Sequence, residues 1–214
     1  MKNLEKYVIV LFLALGLMWS CDSDDDLEGS DDTTPPGALS NIAIQDTLHG
    51  GLVFSYNLPA DKDIYYAKIQ YTRNGELIEQ KASYLSDNIK VEGIPDAEMR
   101  EYTLIAGDLA GNESEPVTFS AACKTPPHWL AYQSADANAD FGGALLSWQN
   151  ESEDWVYLKI AYVNPKTGSE VEQTYKKNGM EETVAFGNFW EAENSFSYYF
   201  TDRYDNQTTV ETTS

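Results

Sequence analysis

With 214 residues, 42% of them hydrophobic and 13% aromatic, the chain has the apolar material for globular cores and is not a disordered acidic tail. Its 35 Asp and Glu against 14 Lys and Arg give a net charge of −21. That balance argues against nucleic acid and against an anionic membrane surface as partners, because both reward clustered cations.

The first element is a short basic start, Lys2 and Lys6, followed by about a dozen apolar residues from Val8 to Trp19. Such a run is too short to cross about 30 Å of hydrocarbon as a helix, but it suits a secretory signal. Ser20 stands directly before Cys21, where a lipoprotein signal peptidase would cut, although Met18 and Trp19 depart from the common Leu-Ala-Gly-Cys form. The expectation is removal of residues 1–20 and a lipid on Cys21, with an uncleaved anchor as the alternative. Losing that segment, with its two lysines and one glutamate, takes the net charge from −21 to −22.

Ser23, Asp24, Asp25 and Asp26 follow the cysteine. Like charges in a row repel and keep a chain extended, so residues 21–36, rich in Asp, Ser, Thr, Pro and Gly, read as a flexible tether. The Ser-Asp-Asp-Asp run also resembles the export signal of Bacteroidota surface lipoproteins, which implies a lipid-anchored protein on the outer face of the outer membrane. Once Cys21 carries lipid, Cys123 has no partner, and the fold must stand without a disulfide.

Beyond the tether the chain repeats itself. "TPPGALSN" at Thr34 recurs in part as "TPPHWLAY" at Thr125, an offset of 91, and "YTLIAGDLAGN" ending at Asn112 is answered by "FSYYFTDRYDN" ending at Asn206, an offset of 94. Two tandem domains follow, 37–123 and 124–214. Within each copy the apolar period is two: Leu52, Phe54 and Tyr56, then Ala67, Ile69 and Tyr71 in the first; Ala144, Leu146 and Trp148, then Leu158, Ile160 and Tyr162 in the second. Short alternating runs separated by turn signals such as "RNGE", "PKTGSE" and "DLAGN" describe half-buried antiparallel strands, and no segment shows a convincing amphipathic helix. The predicted fold class is all-β, with two tandem β-sandwiches of immunoglobulin or fibronectin type III kind.

"LVFSYNLP" and "LLSWQN" resemble the second strand of a fibronectin type III domain, "YAKIQYT" and "YLKIAYV" its third, and "REYTLIAGDLAGNESEPVTF" its sixth and seventh. Tyr102 stands where that family keeps its corner tyrosine; Phe196 takes the place in the second copy, so the corner hydrogen bond is expected in the first domain alone. The whole order of signal cysteine, acidic spacer and two such domains resembles a family of Bacteroidota surface lipoproteins with tandem domains of unknown function. Its members usually sit among genes for glycan uptake, and many continue into a discoidin-like domain, which here would follow Ser214. The resemblance implies polysaccharide or oligosaccharide and outer-membrane glycan-uptake proteins as partners, with the membrane touched through the lipid anchor only.

An enzyme is not expected. His49 and His128 lie in or beside predicted linkers and turns, nothing is spaced as a triad or metal cluster, and a single sandwich offers no deep cleft for tuning paired carboxylates. No cofactor is implied. The acidic turns "DKD" at Asp61, "DLAGNE" at Asp108 and "DRYDN" at Asp202 hold oxygen ligands, but none has the full spacing of a Ca²⁺ loop; Asp and Asn there are expected to close turns, with no metal.

Aromatic rings are the best lead, because sugars lay apolar C–H faces on exposed Trp and Tyr. Tyr56, Tyr71, Trp148, Tyr162 and Phe196 share the inward phase and are expected to pack. Trp155 and Tyr157 take the outward phase of the second copy's third strand, Tyr66 the matching place in the first, Trp129 the domain junction, and Trp190 the turn-rich "GNFWEAEN". These five are candidates for contact with glycan or with a partner protein. The alternative function is a structural spacer or docking scaffold.

Overall fold

The computed structural model describes residues 32–187 and 194–213. Its first half holds seven strands: β1 (Ser40–Leu48), β2 (Gly51–Asn57), β3 (Ile64–Arg73), β4 (Glu76–Ser83), β5 (Asn88–Glu92), β6 (Arg100–Asp108) and β7 (Val117–Ala121). They form two antiparallel sheets, ordered β1-β2-β5 and β4-β3-β6-β7, closed face to face on one core. The second half repeats the plan with β8 (Asp136–Asp140), β9 (Gly143–Gln149), β10 (Val156–Val163), β11 (Glu170–Lys177), β12 (Glu181–Phe186), β13 (Phe196–Asp202) and β14 (Glu211–Thr213), in sheets β12-β9-β8 and β11-β10-β13-β14. This is the three-plus-four strand arrangement of a fibronectin type III sandwich, made twice.

The period of two puts alternate residues on opposite faces, and the inward phase is the expected one. Leu52, Phe54, Tyr56, Ala67, Ile69 and Tyr71 are buried in the first core. Ala144, Leu146, Trp148, Leu158, Ile160 and Phe196 are buried in the second, with Tyr162 partly buried against them. Tyr71 faces Tyr102 across β3 and β6, and Tyr162 faces Phe196 across β10 and β13, so the two copies share one register.

Two expectations are corrected. Residues Pro127–Gln133 form a helix, α1, where the first copy's "TPPGALSN" forms none. Both copies carry a proline here, Pro36 and Pro127, but Gly37 costs a helix about 1 kcal/mol relative to Ala, whereas the second copy continues with His, Trp, Leu and Ala. His128 therefore sits not in a linker turn but on the inner face of α1, fully buried along with Ala131. The second correction concerns Tyr102. It is fully buried at the expected place, but among the described residues its hydroxyl has no hydrogen-bond partner, so the corner bond implied by the resemblance is not made there.

An unpaired buried hydroxyl costs stability. Tyr102→Phe should therefore leave the unfolding free energy unchanged or raise it by about 1 kcal/mol. Thermal denaturation of the variant checks this, and a melting temperature several degrees below wild type would mean that the hydroxyl has a partner in solution.

Candidate functional site at the domain junction

The two sandwiches meet through the loops at one end of the second and the turns at one end of the first. The loop after β13 is built by Asp202, which is buried and accepts from the backbone N–H groups of Tyr204 (2.8 Å) and Asn206 (3.0 Å) and from Asn206 Nδ2 (2.8 Å). So braced, Asn206 Nδ2 donates also to the carbonyl of Gly93 (3.1 Å), while Asn74 Nδ2 donates to Asn206 Oδ1 (2.9 Å). Arg203 and the Tyr204 hydroxyl both donate to Glu92, at 2.9 and 3.1 Å. Lys124 bridges back to the β1–β2 turn through two backbone hydrogen bonds with Leu48 and Gly50, and His49 Nδ1 donates to the Thr125 carbonyl at 2.8 Å.

Between these contacts lies a cavity of about 330 Å³. Trp155 and Tyr204 are its aromatic walls, and Lys90, Glu92, Asp154 and Arg203 supply charge. Residues of both sandwiches line this cavity, so it belongs to the junction and to neither sandwich alone. Burial by itself would raise the pKa of Glu92, but Lys90, Tyr204 and Arg203 hold it below the usual carboxylate range. Burial of Asp202 is likewise outweighed, by the His128 ring at 3.5 Å and by Asn206, so this carboxyl too is held low.

The predicted candidates separate here. Trp155, 39% exposed, borders the cavity just before β10. Lys176 Nζ stands 4.3 Å from its ring centroid and 5.5 Å from that of Tyr157, so both rings share one cation on the outer face of the sheet. Tyr66, at the matching place in the first domain, is packed down: its ring lies over Gly107, where a Cβ would overlap it, its hydroxyl donates to Glu113 at 2.8 Å, and Lys81 covers the ring at 3.9 Å. The residue facing Tyr157 in the second copy is Thr201 rather than glycine, and the equivalent tyrosine cannot lie flat. Trp129 donates Nε1–H to the Pro95 carbonyl at 3.1 Å and meets Tyr132 edge to face, which makes it a junction residue. Cys21, Ser23, Asp24, Asp25, Asp26 and Trp190 lie outside the described residues.

Lys68 escaped sequence reasoning. It takes the outward phase of β3 yet is buried, bonded to Glu113 at 2.6 Å and lying 3.6 Å from Glu79. The acidic turns do close as expected, with Asp108 accepting from Asn112 N–H and Nδ2 just as Asp202 does from Asn206. In addition, Asp32, Asp63 and Asp108 bring carboxylate oxygens within 4.8 Å of one another, a juxtaposition of tether and two loops that spacing within any one turn could not reveal. Cys123 is buried and its thiol donates to the Asp96 carbonyl at 3.2 Å; burial pushes its pKa up, away from reactivity. Among the described residues, no helix is long and apolar enough to cross a membrane.

Fold and junction define a two-sandwich module with a polar, aromatic-walled cavity between its halves. Residues 36–122 match the family described as a domain of unknown function (DUF4959), and residues 124–214 match a second domain of unknown function (DUF5126). No curated protein sequence matches it. Among solved structures, a two-domain fibronectin type III segment from chicken tenascin is similar at 13% identity and a TM-score of 0.40, over 82% of this chain and 97% of that one. The FN1-FN3 domains of chicken CNTN1 are similar at 12% identity and a TM-score of 0.37, over 84% and 66%. A chitinase, ChiA74 from Bacillus thuringiensis, is similar at 17% identity and a TM-score of 0.38, over 76% of this chain and 28% of its own.

Proposed function

We propose that this is a non-catalytic, lipid-anchored surface protein of the outer membrane that binds glycan for a polysaccharide-uptake system. The observation that carries this reading is the junction cavity of about 330 Å³ with Trp155 and Tyr204 in its walls. Sugars need both an aromatic plane for C–H faces and mixed donors and acceptors for hydroxyls, and Lys90, Glu92, Asp154 and Arg203 supply the latter. Lipidation at Cys21 and export through Ser23 to Asp26 rest on the sequence pattern. Glu92 and Asp202, whose pKa values are both moved down, are suited to accept hydrogen bonds from sugar hydroxyls and not to serve as the general acid of glycoside cleavage. The spacer alternative draws on the hydrogen-bonded junction, in which the buried Asn206 side chain of the second sandwich donates to the Gly93 carbonyl of the first.

Calorimetric titration of the full-length protein against plant, host and microbial polysaccharides tests the proposal. Trp155→Ala should weaken the bound glycan about tenfold, the effect of removing one aromatic anchor. Absence of binding across the panel, with outer-membrane proteins co-purifying through the same surface, would leave the scaffold.

A further inference from the structure

We infer that the glycan is anionic, carrying carboxylate or sulfate groups, and that it runs out of the junction cavity over Trp155 onto the outer face of the β11-β10-β13 sheet; this rests on the glycan-binding reading. The outward positions beyond Trp155 are Tyr157 and Lys159 on β10, Thr174 and Lys176 on β11, and Tyr199 on β13. Tyr157 is paired directly with Lys176, and Lys159 directly with Tyr199 and Thr174. Neighbouring strands are about 4.8 Å apart and alternate residues along a strand about 6.6 Å, so these side chains form one continuous surface beginning at the cavity mouth.

Charge is what selects the ligand. In a chain with 35 acidic and 14 basic residues, these positions place two lysines among three aromatic rings, and the first outward carboxylate on β11, Glu172, comes only one row beyond them, opposite Ala161. Five cations elsewhere are matched by acids, Lys68 by Glu113, Lys90 by Glu92, Arg100 by Asp96, Lys177 by Glu182 and Arg203 by Glu92, while Lys81 and Arg73 rest on the rings of Tyr66 and Tyr204. Lys159 has no ion pair among the described residues, and Lys176 is held against the Trp155 and Tyr157 rings instead of against an acid. A cation resting on an exposed ring is weakly held and is freed readily for an arriving anion. A uronic or sulfated sugar answers both halves of this surface at once, with its C–H face on the rings and its anionic group on the ammonium. A neutral sugar would leave the two lysines without a partner on the ligand.

The test is titration of the full-length protein with polygalacturonate and a sulfated glycosaminoglycan beside neutral xylan and starch, at low and high salt. The expected result is binding of an anionic chain that weakens with salt, falls about tenfold in each of Lys159→Glu and Lys176→Glu, and weakens further in Tyr199→Ala. Both lysines are on the surface, and the salt dependence of the unmodified protein gives a readout that no folding defect can imitate. Binding of neutral glycans alone, unaffected by salt or by either lysine, would overturn the anionic assignment and leave glycan binding standing. No binding to any of the four would remove both.

Discussion

Asp202→Ala is expected to cost about 3 kcal/mol of stability, among the largest losses any single side chain here would give. The carboxylate is buried and accepts three hydrogen bonds, so its removal leaves the N–H groups of Tyr204 and Asn206 and the Asn206 side-chain amide without an acceptor. It also strands His128, fully buried, whose two ring nitrogens have no hydrogen bond among the described residues and which lies 3.5 Å from the Asp202 carboxylate. Because the same loop carries Tyr204 and Asn206 onto Glu92 and Gly93, the loss reaches the junction as well as the second core. Urea denaturation of the full chain measures it; a change below about 1 kcal/mol would mean the loop closes without its carboxylate.

The same residue sets an acid limit. Its folded pKa is depressed below the ordinary aspartate value, so the folded state binds its proton less tightly than the unfolded chain. The stabilisation it supplies is therefore complete above the unfolded pKa of about 3.9 and is lost as pH falls through the lower folded value. Asp202→Asn, which keeps much of the geometry, should be less stable than wild type at neutral pH and should flatten the fall in stability below about pH 4. Parallel acid limbs in the two proteins would place the titration elsewhere.

Much of this architecture is written in periods and offsets. A two-residue alternation places Leu52, Phe54 and Tyr56 inside without knowledge of their neighbours, and an offset of 91 to 94 between matched residues reveals the second sandwich. What pattern could not show was any feature needing two distant segments. The "TPP" repeat turns to helix in one copy, where Gly37, Ala38, Ser40 and Asn41 are replaced by His128, Trp129, Ala131 and Tyr132. Tyr66 and Tyr157 hold matching positions, yet the first is packed down because Gly107 lies beneath it and the second is not because Thr201 does. Trp155 was legible as an outward ring, but the cavity beside it depends on how Glu92, Gly93 and the Asp202 loop meet, and no parity argument reaches across that junction.

Gly93 is where fold and binding are most tightly joined. Its φ of +75° is a conformation that costs an L-residue about 1–2 kcal/mol. A Cβ there would stand 2.7 Å from Cγ of Tyr204 and 2.7 Å from a guanidinium nitrogen of Arg73, so the tyrosine must leave its seat. Gly93→Ala should cost about 3 kcal/mol in all, the strain plus the overlap. Gly75 separates the two parts, since its φ of +83° carries the same strain with nothing within 4 Å of where a Cβ would stand, and Gly75→Ala should lose only about 1–2 kcal/mol. Displacing Tyr204 breaks its bond to Glu92 and opens a wall of the cavity, so Gly93→Ala should also weaken glycan binding about tenfold while Gly75→Ala leaves it unchanged. If Gly93→Ala binds normally at a temperature where it remains folded, recognition does not use the junction, and the outer sheet face beyond Trp155 must carry it alone.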